Sequence, residues 1–238
     1  HSKGHSYNPE IAITSYTKTN HAWNVVLLNG DWRFVECTWG AGHAKGNQYY
    51  KEFTEFYFLT DPEDFISEHF PRMNKDAEFD SEWQLMDKAL SLEEFSRRVH
   101  LNRTALEFGV IPLSHTSGVI EVPSDDTITI QDGQRNIENW IINFFLSDGT
   151  NMNNYTMSYM QNPTTLKINV RPPNAAKYVL RLFAKPRAKK TDEYNPVLEY
   201  IIKCSDPAKP VKPYVSSETP WAVCPKYVQY GFTEEALA

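Results

Sequence analysis

Within Asn20 to Gly42, NHAWNVVLLNGDWRFVECTWGAG, a histidine, an acid and a thiol (His21, Glu36 and Cys37) lie on two apolar runs that flank Asn29-Gly30. A histidine beside a carboxylate is two thirds of a nucleophile, base and orienter triad. The carboxylate fixes the imidazole tautomer, and the imidazole takes a proton from a thiol or hydroxyl. That chemistry requires the side chains to meet, so the elements carrying them decide whether it is possible.

Asn-Gly between alternating hydrophobic residues predicts a β-hairpin with a two-residue turn. Leu28 then faces Asp31, Leu27 faces Trp32, and the same ladder carried outward sets His21 opposite Thr38 with Glu36 as its diagonal neighbour. Diagonal neighbours lie about 7–8 Å apart at the backbone, within reach of an imidazole and a glutamate. A slip of one residue would turn Glu36 to the other face. Adjacent strand residues point oppositely, so Cys37 is expected to face away from His21 as a buried structural cysteine.

The other reactive residues carry weaker signals. His69, beside Phe70-Pro71, reads as structural. His1 and His5 would share a face only on a helix, which Gly4 and Pro9 argue against, so no metal site and no cofactor is expected. Cys37, Cys204 and Cys224 are odd in number and lack paired spacing, which favours a reducing, cytoplasmic setting over a disulfide framework or zinc site. Asn102-Arg103-Thr104 and Asn154-Tyr155-Thr156 fit a glycosylation pattern that matters only in a secreted chain.

Among the 238 residues, 41% are hydrophobic and 13% aromatic, which argues for a folded, strand-rich chain. The formal charge of −6 gives no general attraction to nucleic acid or anionic lipid. The basic cluster Lys185 to Lys190 is followed at once by Asp192 and Glu193 and reads as a solvated loop. No apolar run is long enough to span a membrane.

Around the hairpin, residues 1–19 are expected to be extended and to pair with it, and Gly40, Gly42 and Gly46 to form a flexible exit loop. Phe53 to Leu59 reads as a strand. Asp61-Pro62-Glu63-Asp64 predicts a helix capped by Asp61, with Phe65, Ile66 and His69 on one face. Ser91 to Glu94 is a capping box opening a helix to about Val99. Apolar runs at 106–112, 127–130, 139–146, 155–160, 165–170, 178–184 and 197–203 predict a β-sandwich, with Ile141, Phe144, Leu180, Leu182, Leu198 and Tyr200 facing inward. The proline-rich tail, with Tyr214, Trp221, Tyr227 and Tyr230, is expected to lie extended against the sandwich.

His21-Ala22-Trp23-Asn24, the Asn-Gly turn, and Trp32, Val35, Glu36, Thr38 and Trp39 resemble the histidine and acid strands of the transglutaminase-like, papain-type superfamily. Thr38-Trp39-Gly40-Ala41-Gly42, the stretch from Phe58 to Ile66, His69-Phe70-Pro71, Trp83-Gln84-Leu85 and Lys3-Gly4 are similar to its kyphoscoliosis-peptidase and hillarin branch. The resemblance implies an α+β fold. An antiparallel sheet of a partial transglutaminase-like domain with short helices spans 1–103, an all-β sandwich-like domain 104–205, and an extended tail 206–238. It implies His21 as general base and Glu36 as orienting acid where the family usually has Asp, the extra methylene shifting the acid relative to His21 Nδ1.

The family's catalytic cysteine opens a helix upstream of the Lys-Gly segment and is expected outside these 238 residues. For this chain alone the expectation leans toward a non-catalytic interaction or scaffold protein with protein partners, cytoplasmic and cytoskeleton-associated. The alternative is a cysteine protease or transglutaminase of Cys-His-Asp/Glu type whose nucleophile lies upstream.

Overall fold

Asn29 and Gly30 sit at φ of 54° and 95°, the left-handed pair that a two-residue hairpin turn with matching twist demands. The turn joins strand β1 (Asn24–Leu28) to β2 (Asp31–Val35), with Leu28 opposite Asp31 and Asn24 opposite Val35, the expected register. The structure is a computed structural model that describes residues 8–11, 20–72, 77–187, 192–205 and 211–214. The chain divides after Glu107 into two units. Most of the N-terminal segment, and all of the tail apart from 211–214, lie outside the described residues, so the expectations for them are not tested there.

In the N-terminal unit the ladder stops at Val35, and Cys37–Gly40 forms a helical turn, α1, in place of further strand. The expected glycine-rich exit loop is instead a small hairpin, β3 (Gly42–Lys45) with β4 (Gln48–Lys51). The aromatic run that reads as one strand is broken by a 3-10 turn at Glu55–Tyr57 before β5 (Phe58–Thr60), which pairs antiparallel with β2. Helix α2 (Pro62–Phe65) starts at Asp61 with Pro62 in its first turn, although the Asp61 side chain makes no capping hydrogen bond.

Helix α3 (Ala77–Glu82), which the sequence patterns left unassigned, precedes a loop fastened by the buried Gln84. The Gln84 amide donates to the Asp80 and Leu90 carbonyls and accepts from the Leu90 N–H at 2.7 Å. Helix α4 (Leu92–Arg97) opens with the expected capping box, and α5 (Arg103–Glu107) occupies the start of a run read as strand. Ile66, Phe70, Leu92 and Phe95 form the buried cluster under these helices.

The C-terminal unit is two four-stranded sheets. One holds β6 (Val110–Pro112), β8 (Asp126–Asp132), β10 (Thr156–Asn162) and β11 (Thr165–Val170), all antiparallel in the order β10-β11-β8-β6. The other holds β7 (Val119–Val122), β9 (Ile137–Leu146), β12 (Ala176–Pro186) and β13 (Asn195–Cys204) in the order β7-β13-β12-β9, with β7 parallel to β13. Strand β7 escaped the pattern reading.

Alternation sets the interior: Ile128, Ile130, Ile168 and Val170 from one sheet and Phe144, Leu180, Leu182 and Tyr200 from the other are fully buried. Ile141 corrects one inner-face expectation, being 39% exposed. It lies three residues from Phe144, and odd spacing on a strand puts two side chains on opposite faces. Lys185 is not loop but strand, paired with Asp192 at 3.1 Å and Glu138 at 3.6 Å. In the described part of the tail, the Arg171 guanidinium lies 4.2 Å over the Tyr214 ring and the Tyr214 N–H donates to the Asn154 carbonyl, so Tyr214 packs on the sandwich as expected.

Candidate functional site: a histidine-glutamate pair and a buried second histidine

Glu36 is where the strand ends, and its own side chain ends it. Its Oε1 accepts from the backbone N–H groups of Thr38, at 2.7 Å, and Trp39, at 3.1 Å, capping α1. Its N–H donates to the Tyr57 carbonyl at 2.9 Å, tying it to the 3-10 turn. With one oxygen and the backbone fixed, Glu36 is 1% exposed and has one direction left for Oε2.

That oxygen meets His21 Nε2 at 2.5 Å. The two residues come together, but by a route other than the ladder. His21 precedes β1, Glu36 caps a helix, and Thr38 is helical rather than the cross-strand partner of His21. The contact is also through Nε2, where Nδ1 was the expected reference atom, so among the described residues Nδ1 is the ring nitrogen left to exchange a proton. The His21 ring stacks on Trp39 at 4.9 Å between centroids and 19° between planes, which fixes the imidazole plane, and its side chain is 14% exposed.

Cys37 makes its contact elsewhere than at the His21–Glu36 pair. As the first residue of α1 it is exposed, and its Sγ accepts from Asn24 Nδ2 at 3.4 Å. The expected buried cysteine is thus corrected: the strand ends at Val35, and as the first residue of a short helical turn Cys37 is left exposed. Cys204 is buried in the sandwich with its thiol toward the Pro123 carbonyl, and Cys224 lies outside the described residues.

His69 is the residue whose place at the site the sequence did not reveal. It is 1% exposed, with its ring stacked on Phe65 at 4.2 Å and against Trp23 and Trp39 at 5.1 and 4.6 Å. The ring hydrogen-bonds the Phe65 backbone, and its Nε2, 3.7 Å from Glu36 Oε2, has no hydrogen-bond partner among the described residues. Burial, and next the charge of His21, lower its pKa to about 3, so it is neutral. Its recurrence two residues before Pro71 in an aromatic stretch was the available signal, and that signal reads equally well as packing.

Tyr57 completes the underside. Its hydroxyl donates to Glu68 Oε2 at 3.1 Å, and burial first, then Glu68, push its pKa up. The arrangement is an oriented imidazole with a buried carboxylate behind it and, among the described residues, a second ring nitrogen that makes no hydrogen bond. That is what a general base requires.

Comparison with known proteins places the chain. Residues 92–215, just over half of its length, match the KY-like, immunoglobulin-like domain family. The human kyphoscoliosis peptidase is 31% identical over 208 residues, covering 86% of this chain and 28% of that protein. Drosophila melanogaster hillarin is 30% identical over 139 residues, 53% of this chain and 16% of that protein. The Caenorhabditis elegans LIM and transglutaminase domain protein ltd-1 is 39% identical over 108 residues, 40% of this chain and 14% of that protein. The chain thus spans less than a third of the length of these relatives. With the immunoglobulin-like match and relatives of one lineage on both sides of the unit boundary, the chain belongs to the KY-like family, in its kyphoscoliosis-peptidase and hillarin branch.

Proposed function

We propose that residues 20–72 form part of a transglutaminase-like, papain-type domain and carry the base half of a thiol-dependent acyl-transfer or peptide-hydrolysis site. His21 is the general base and Glu36 its orienter. The observation that carries this reading is the 2.5 Å contact of Glu36 Oε2 with His21 Nε2, made by a carboxylate whose other oxygen is locked in a helix cap. The pair is thereby held in place before any substrate arrives, and a lengthened acid costs nothing in reach.

In the reaction, a thiol placed against His21 Nδ1 loses its proton to that nitrogen and attacks an acyl carbon. The leaving amine takes the proton, and water or a second amine then resolves the thioester. The thiol comes from outside the described residues. The test uses the longest form of the protein that carries this chain, wild type against His21→Ala, with iodoacetamide at neutral pH and mass-spectrometric location of the label. The expected result is one cysteine whose labelling falls about 10²–10⁴-fold in the variant, the usual contribution of a positioned base. Equal labelling of every cysteine in the two proteins overturns the reading.

A second reading is a cytoplasmic, cytoskeleton-associated interaction or scaffold protein that binds protein partners and does no chemistry. The exposed Cys37, its thiol bonded to Asn24 rather than to an imidazole, and the immunoglobulin-like domain support it. It gains if labelling is independent of His21 while the protein co-sediments with actin filaments.

A further inference from the structure

His69 Nε2 is a buried lone pair with no donor among the described residues, and it faces another acceptor. Its ring bonds the Phe65 backbone, so Nε2 carries no proton, and Glu36 Oε2 lies 3.7 Å away. Two acceptors turned toward each other in a water-poor pocket are unfavourable unless something positive sits between them. His21 supplies a third donor atom. One ligand atom from each of His21, Glu36 and His69 lies within 4.8 Å of the other two.

We propose that these three residues bind a zinc-class divalent cation. Two imidazole nitrogens and one carboxylate oxygen are ligands that suit zinc; calcium and magnesium favour oxygen-only sets. In a tetrahedral zinc site with bonds near 2.0–2.1 Å, ligand atoms stand about 3.3 Å apart. The Glu36–His69 separation of 3.7 Å is already close to that edge. The 2.5 Å His21–Glu36 contact must open, because the ion takes the place of the proton the two groups share.

Three features of the site meet the remaining needs of a metal centre. The Phe65 backbone holds the second nitrogen of His69 and so fixes its tautomer, and the Thr38 and Trp39 amides fix the second oxygen of Glu36. His21, 14% exposed, is the open side through which the ion enters and where a fourth ligand, water, is bound. Metal on Nε2 forces the remaining ring proton onto Nδ1. The imidazole then has no lone pair for a thiol, so the cation switches the base off. Binding itself does not rest on the catalytic reading; only this consequence does.

The test titrates the 238-residue chain with zinc chloride in competition with a chromogenic chelator, and records the visible spectrum with cobalt(II) as stand-in. One ion per chain is expected, with a four-coordinate cobalt spectrum. His69→Gln and His21→Gln should each weaken binding by about tenfold or more, at least the effect of losing an outer-shell partner, with circular dichroism unchanged. His21→Gln keeps the test decisive if the buried His69→Gln variant unfolds. Three results overturn the proposal: no saturable binding, undiminished affinity in a folded His21→Gln, or loss on changing His1 and His5 instead. None of these touches the iodoacetamide result, so the two proposals fail separately.

Discussion

The side-chain amide of Asn24 donates to Cys37 Sγ at 3.4 Å, and the thiol sits exposed on the first residue of the helical turn that Glu36 caps. A cysteine one residue from Glu36 invites comparison with a nucleophile, and among the described residues its thiol bonds Asn24 rather than an imidazole. Its reactivity should therefore be that of an exposed thiol and nothing more. In the native chain, iodoacetamide should label Cys37 at the same rate in wild type and His21→Ala. Cys204, buried in the sandwich, should be labelled only after urea unfolding. A Cys37 rate that drops with His21→Ala would mean that the imidazole reaches it after all.

Glu36 has two jobs, and substitutions separate them. Glu36→Ala removes the helix cap, worth about 0.5–2 kcal/mol, and strands the buried partners of its carboxylate at a cost of about 1–3 kcal/mol. Urea unfolding should show a loss of about 1.5–5 kcal/mol. Glu36→Gln keeps an acceptor for the Thr38 and Trp39 amides and should cost less, while weakening the contact with His21. If the two variants are equally stable, the cap is not what holds this residue.

These two residues also show where sequence suffices and where it does not. The Asn29-Gly30 turn and its register are local, set by two left-handed residues and the alternation around them, so the hairpin is legible. So is the sandwich, whose inward residues from Leu180 to Tyr200 follow period two. Glu36 is not legible in the same way. Strand alternation runs through it unbroken in the sequence, and only the two amides it caps reveal that the chain has turned to helix. His69 is harder still. It reaches Glu36 across 33 residues, through packing on Phe65, Trp23 and Trp39 that no spacing rule encodes.

Two glycines of the N-terminal unit predict contrasting failures. At Gly30, φ is 95° and a Cβ would meet nothing within 4 Å, so Gly30→Ala should cost only the conformational penalty of about 1–2 kcal/mol. At Gly42, φ is 143° and a Cβ would stand 2.1 Å from the Tyr50 carbonyl oxygen, where only backbone movement relieves the clash. Gly42→Ala should therefore break the β3–β4 pairing, seen as loss of amide protection from hydrogen exchange at 42–51, whereas Gly30→Ala should leave the β1–β2 amides protected. Equal protection in the two variants would contradict this.

The capping box of α4 gives a pH-dependent prediction. Ser91 Oγ accepts from the Glu94 N–H at 3.1 Å, and Glu94 Oε2 accepts from the Ser91 N–H at 2.7 Å. The Ser91 backbone contact first, then the Ser91 side chain, hold the Glu94 carboxyl below its ordinary value of 4.5. A carboxyl whose pKa is lowered on folding binds protons more readily when unfolded. Its stabilisation is therefore full above the ordinary value and is lost as pH falls through the lowered one. Ser91→Ala should raise the Glu94 pKa toward 4.5 in an NMR titration and cost about 1 kcal/mol at neutral pH. Because Glu94 is solvent-exposed, added salt should weaken the lysine and arginine contributions to this shift but not the Ser91 hydrogen bonds. A Glu94 pKa that does not move in Ser91→Ala would take the Ser91 hydroxyl out of the account and leave the lowering to the Ser91 backbone N–H and those charges.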